Sequence, residues 1–145
     1  KGQAIKDELL FLVDEDTRAF NRIMEAFGMP KSSEDEKQLR HHAIQQATRY
    51  AIEIPFRVLK RSNDALEVIE AMVESGNPNS ITDAGVGALC ARSAVIGAYL
   101  NMKINAADLE DKAYTAEVLK EAAEIETMAR AREEKILQLL AEKLQ

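Results

Sequence analysis

From Ala84 to Tyr99 the sequence reads AGVGALCARSAVIGAY, and Arg92 is its one charge. A helix made from such a run is apolar nearly all round, which places it at the centre of a fold rather than on its surface. One side carries Ala84, Gly87, Ala88, Ala91, Ala94 and Ala98. Such a stripe of small residues lets another helix approach closely, by analogy with small-residue packing between membrane helices. No other segment offers a matching stripe, so its partner is expected on a missing segment or a second subunit. Interrupted by Arg92, the run falls short of the ~20 apolar residues of a membrane span.

The rest of the chain is helical in period, without strand-like alternation, internal repeat or low-complexity tract. Its 145 residues, 46% hydrophobic and 30% charged, with 6 Gly and 3 Pro, fit one helix-rich globular domain. A first helix is predicted over Gln3–Phe27, stopped by Gly28-Met29-Pro30. Ser33-Glu34-Asp35-Glu36 has the form of a capping box and opens a second helix to about Lys60, kinked where Pro55 removes a backbone bond. Ser62-Asn63-Asp64 reads as the start of a third helix ending at Gly76. Ser80-Ile81-Thr82-Asp83 caps a fourth to about Ile104, and Asn105 to Asp111 makes the last turn. A final amphipathic helix covers Lys112–Leu144. The expected fold is all-α, an antiparallel up-and-down bundle of five helices joined by short connections.

The net charge of −6 argues against a nucleic-acid surface or a basic membrane-binding helix. Cys90 is the single cysteine. Its apolar neighbours predict a small buried hydrophobe in a reducing, cytoplasmic setting. His41 and His42 are adjacent, so their side chains diverge by ~100° and do not converge on a metal. Asp14, Glu15 and Asp16 diverge in the same way, and no local Ser/His/Asp or Cys/His triad is present.

Two acids stand out. In the first helix Ile5, Leu9, Leu12, Val13, Phe20, Ile23, Met24 and Phe27 form one apolar stripe, and Asp16 projects within ~20° of its centre. A carboxylate there pairs with an inward arginine, caps a neighbouring helix, or works in a cleft. Asp83 lies in the first turn of the fourth helix, after a turn, Gly76 to Ser80, that delivers Asn77, Asn79 and Ser80 to a helix N-terminus. Free N–H groups and the positive dipole end attract electron-rich groups there. Asp83 is either a capping carboxylate or an acid/base at a pocket mouth.

These segments resemble a known family. Leu12-Val13-Asp14-Glu15-Asp16-Thr17-Arg18-Ala19-Phe20-Asn21 is similar to the "LVDEDT-x-AF" segment of the cyclodeaminase domain of formimidoyltransferase-cyclodeaminase. Residues Gly76 to Ala88, GNPNSITDAGVGA, resemble its "GNP-x-S-x-(S/T)-D-x-GVGA" segment. Met29-Pro30-Lys31, Ile54-Pro55 and Asn101-Met102-Lys103-Ile104-Asn105 match further elements in order. The resemblance covers the whole chain, residues 1–145. It implies a single helical cyclodeaminase-like domain that forms homodimers or higher oligomers. A fused or associated formimidoyltransferase belongs to the same expectation. The Gly-rich loop and helix with which the family normally begins are expected to be lacking from residues 1–145, either standing upstream of Lys1 or lost.

The implied substrate is a tetrahydrofolate derivative, with no covalently bound cofactor and no metal. The implied reaction, in one-carbon metabolism and histidine degradation, is a lyase step. It closes 5-formimidoyltetrahydrofolate to 5,10-methenyltetrahydrofolate and releases ammonia. Motif positions put Asp16 and Asp83 in the catalytic roles and Asn77, Asn79, Ser80 and Thr82 against the substrate. Methenyltetrahydrofolate cyclohydrolase is the neighbouring activity. A non-catalytic helical dimerisation module is the alternative from another class.

Overall fold

The computed structural model describes residues 1–145 as four long helices and one 3-10 turn, with no strand. They are α1 (Gly2–Gly28), α2 (Glu34–Ser75), the turn Pro78–Ser80, α3 (Ile81–Asp108) and α4 (Lys112–Lys143). Short connections fold these into an antiparallel bundle. α2 touches each of the other three helices, and α3 packs on both α2 and α4.

Punctuation in the sequence sets most of the boundaries. α1 stops where Met29 turns extended ahead of Pro30. The capping box forms as its residues predict: the Glu36 N–H donates to Ser33 Oγ at 3.2 Å, and the Glu36 carboxylate accepts the Ser33 N–H at 3.1 Å. α2 ends at Gly76, whose N–H caps the Met72 carbonyl in an extended conformation where a Cβ would run into that same oxygen.

The expected second and third helices are one. α2 runs without a break through Ser62-Asn63-Asp64, which therefore caps nothing. Pro55 lies inside it, and the carbonyl that its missing N–H leaves free, that of Ala51, accepts Asn105 Nδ2 from α3 at 2.7 Å. A side chain of another helix thus replaces the lost backbone bond, and the bundle has four helices rather than five.

The small-residue stripe of α3 also finds its partner inside the chain. Ala84, Ala88, Ala91 and Ala98 are buried in one core with Ile52, Leu59, Leu66 and Val73 of α2 and with Val118, Ala122, Ile125, Ala129 and Ile136 of α4. The four α2 residues recur every seven positions and are almost fully buried. Large side chains fill the space that alanines leave, so small residues are matched by large ones and not by another small stripe. Counted with its turn, Pro78–Asp108 is long and apolar enough to cross a membrane by length and composition, a longer run than Ala84–Tyr99; here it packs between α2 and α4.

The outer side of α3 is left open. Val86 is 60% and Ile104 69% exposed. Cys90 is exposed on the same helix, not buried.

Candidate functional site

α1 packs on α2 through Ile5, Leu12, Ala19 and Ala26, and through one charged residue, Glu15, which is 8% exposed. The inward acid of this helix is therefore Glu15, and Asp16 is exposed. The apolar stripe is wider than one partner helix can cover, so Val13, Phe20, Met24 and Phe27 remain outside. The Tyr50 hydroxyl and the Arg18 guanidinium donate to opposite oxygens of Glu15. Arg22 stacks 4.2 Å from the Tyr50 ring centroid.

The Tyr50 hydrogen bond holds the Glu15 carboxyl below its ordinary range. Burial opposes this shift and Arg18 reinforces it. The same bond pushes the Tyr50 phenol up. The phenol thus stays a donor and the carboxylate an acceptor. This anchor fixes the rotation of α1 about its axis. With Glu15 turned to α2, Asp16 is swung ~100° to the side.

That side opens on a cleft of about 520 Å³ between α1, α2 and α3. Its buried residues are Leu12, Pro55, Ser62 and Ala98, and its exposed rim includes Val13, Asp16, Thr17 and Asn101. The arginines nearest Asp16 in sequence are occupied, Arg18 by Glu15 and Arg22 by the Tyr50 ring. Of the sequence alternatives for Asp16, a place in a cleft is the one the geometry matches.

One buried polar group of the cleft has no partner, the hydroxyl of Ser62. A buried hydroxyl left unpaired costs roughly 1–3 kcal/mol.

The other predicted site residues lie elsewhere. Asp83 and Thr82 are exposed in the first turn of α3. Fifteen residues of helix separate Asp83 from Ala98, a distance of ~22 Å along the axis. Asn77 uses its side-chain oxygen locally, accepting the Asn79 N–H at 3.0 Å. Ser80 precedes α3 without making a side-chain cap bond. Within one chain the turn and the cleft are two separate places, and Asp16 alone of the six residues lines the cleft.

A second pocket, about 440 Å³, is lined by Glu8, Arg57, Lys60, Arg61 and Asp64 among others. Its charges satisfy one another: Arg61 pairs with Glu8 at 2.7 Å and Asp64 at 2.9 Å, and Lys60 with Glu121 at 3.6 Å. No group of three or more His, Cys, Asp or Glu residues is placed to hold a metal ion.

Sequence reading missed Ser62 and Asn101. Pro55, Val58 and Ser62 fall on one face of α2, as Ala94, Ala98 and Asn101 do on α3. That spacing was available as a signal, but reading Ser62 as a helix cap concealed it.

Comparison with known proteins adds four findings. The family model described as Formiminotransferase-cyclodeaminase matches residues 1–124. A methenyltetrahydrofolate cyclohydrolase of Methylorubrum extorquens is 33% identical over 144 residues, 99% of this chain and 69% of that protein. The formimidoyltransferase-cyclodeaminase of Gallus gallus is 37% identical over 111 residues, 77% of this chain but 20% of that protein. A solved structure of formiminotetrahydrofolate cyclodeaminase from Thermotoga maritima shares the fold with a TM-score of 0.83 at 24% identity, covering 99% of this chain and 67% of that one.

Proposed function

This chain belongs to the formiminotransferase-cyclodeaminase family, and from that premise we propose that it acts on a tetrahydrofolate as a formimidoyltetrahydrofolate cyclodeaminase. N10 of the folate attacks the carbon of the formimidoyl group, whose nitrogen is protonated, giving a tetrahedral intermediate. The N10 proton passes to a carboxylate and from there to the departing nitrogen, which leaves as ammonia. The C–N10 bond has formed, the bond to the leaving nitrogen has broken, and the product is the methenyl cation. A positioned carboxylate suits such a relay, and its negative charge favours the cation as it forms.

The observation that carries this reading is Asp16, an acid without an arginine partner on the rim of an apolar cleft. We assign it the proton relay. Asp16→Asn is expected to slow cyclisation by about 10²–10⁴-fold with an unchanged melting temperature. The assay follows the gain of near-ultraviolet absorbance and the release of ammonia from 5-formimidoyltetrahydrofolate. A near-native rate would reduce Asp16 to a surface carboxylate.

Asp83 keeps a role only through a second copy. An antiparallel pair of α3 helices, packed through their open faces with the twofold axis near Cys90, sets Asp83 of each copy level with Ala98 of the other. The exposed apolar side chains along that face support such an association. Asn77, Asn79, Ser80 and Thr82 would then contact the substrate from across the interface.

The second reading, methenyltetrahydrofolate cyclohydrolase, draws support from the Methylorubrum relative. Water attacks the same cationic carbon, so this activity would consume the absorbance of methenyltetrahydrofolate and release no ammonia.

A further inference from the structure

The cleft between α1, α2 and α3 is poor in polar groups, and most of those it has are committed. On α2 the one polar side chain is Ser62, whose Oγ is closed to solvent. On α1 the Thr17 hydroxyl donates to the Val13 carbonyl at 3.3 Å and has no proton left to give. Asp16 beside it only accepts while ionised. The α3 wall presents Ala94, Ala98 and Asn101, so Asn101 is the one polar side chain lining the wall opposite Asp16. Asn105, one turn further along α3, gives its amide to the Ala51 carbonyl at 2.7 Å. Asn101 has no such task. It is exposed, and its carboxamide is free to meet what enters the cleft.

Ring closure makes a demand that Asp16 alone does not meet. The formimidoyl nitrogen enters as a planar, protonated group whose N–H bonds lie in one plane. When N10 bonds to the carbon, the π pair between carbon and this nitrogen becomes a lone pair on the nitrogen. That lone pair takes the proton which Asp16 received from N10, and the carbon–nitrogen bond then breaks to release ammonia. The lone pair has to point at Asp16, so the N–H bonds have to point away from it. An acceptor on the far wall holds them there. Alanine side chains offer none, whereas a carboxamide oxygen does.

We infer that Asn101 Oδ1 accepts an N–H of the formimidoyl nitrogen and holds that nitrogen with its lone pair turned across the cleft to Asp16. The inference rests on the cyclodeaminase reading above and names the residue that fits the site to a nitrogen leaving group. Asn101 contacts the substrate in this arrangement and moves no proton.

The test compares the 145-residue chain with its Asn101→Ala and Asn101→Asp variants. Two quantities are measured: ammonia release from 5-formimidoyltetrahydrofolate, and the binding of tetrahydrofolate, which has no formimidoyl group. Asn101→Ala is expected to lower kcat/KM by about 10–100-fold, the worth of one hydrogen bond to a charged group. Tetrahydrofolate affinity and the melting temperature stay as they were. Asn101→Asp keeps the acceptor and removes only the donor, so its kcat/KM should return to within about 3-fold of the parent. Near-parent cyclisation by Asn101→Ala overturns the inference and spares the cyclodeaminase reading. Equal weakening of tetrahydrofolate binding overturns it too, by making Asn101 a general folate contact, and so does an Asn101→Asp variant as slow as Asn101→Ala. A parent chain that binds tetrahydrofolate but releases no ammonia removes the cyclodeaminase reading, and the inference with it. A parent that binds none removes the folate reading as well.

Discussion

Asn105→Ala would take away the side chain that answers the Ala51 carbonyl, and the cost follows from Pro55. In an unbroken α-helix that carbonyl accepts the N–H of residue 55, four positions on. Proline has no N–H to give. Asn105 Nδ2 stands in at 2.7 Å, and Ala51 and Pro55 are both buried, so water has no access to take over. Leaving the carbonyl unpaired costs about 1–3 kcal/mol, a fall of roughly 3–10 °C in melting temperature for a domain of this size. Thermal and urea unfolding followed by helical circular dichroism measure it.

The decisive control is the same substitution in a Pro55→Ala background. There residue 55 regains its N–H and the helix satisfies Ala51 itself. Asn105→Ala should then cost less than about 0.5 kcal/mol, a coupling of about 1–2 kcal/mol between two residues that do not bond each other directly. Equal losses in the two backgrounds would refute the account. Pro55 also lines the cleft, so the Asn105 bond ties α2 to α3 at the level of the site, and substrate binding should weaken along with stability.

Two further outcomes are expected. Because the folded-state pKa of Glu15 is lowered, its share of stability is fully present above about pH 4.3, the unfolded value, and is lost as pH falls through the folded value. Glu15→Gln should flatten the acid limb of the melting temperature against pH, and parallel curves for the two proteins would count against the anchor. If copies pair through α3 with the axis near Cys90, an oxidant or a short bis-maleimide should link two chains through Cys90, and sedimentation should show a dimer. A monomer that never cross-links would leave Asp83 without a route to the cleft.

The local grammar of the fold was legible in the sequence. Gly28-Met29-Pro30, the Ser33–Glu36 box, Gly76-Asn77-Pro78 and the turn before Lys112 each act on their immediate neighbours, and each ends or starts a helix close to the predicted place. What the sequence concealed depends on residues far apart along the chain. The continuity of α2 past Pro55 is supported by Asn105, fifty residues away. The burial of Glu15 in place of Asp16 depends on Tyr50, which no helical wheel of α1 contains. Such a wheel finds where apolar residues gather but not how many helices arrive to cover them. α1 receives one main partner, too narrow for its stripe, so Phe20 and Phe27 stay exposed. Cys90 was misplaced for the same reason, since α3 is apolar on its open side as well.

The cleft itself arises from how two interfaces meet on α2. Toward α3, α2 presents the seven-residue series Ile52, Leu59, Leu66 and Val73, packed against alanines. Toward α1 it presents Ala51 and Ile54, packed against Leu12 and Ala19. Each neighbour is held firmly to α2 and only weakly to the other, for α1 and α3 share almost no direct contact. A groove between them therefore has to remain, and the largely buried face of α2 between the two interfaces, Pro55, Val58 and Ser62, lies at its base. The side of α1 that looks into the groove is decided by the rotation at which Glu15 meets Tyr50. Lengthening Ala94 or Ala98 would close the groove without touching a polar group. Losing the Glu15 anchor would leave it open but turn Asp16 away from it. The buried acid and the exposed one beside it thus divide the work: Glu15 sets where the helix faces, and Asp16 occupies the position that this facing creates.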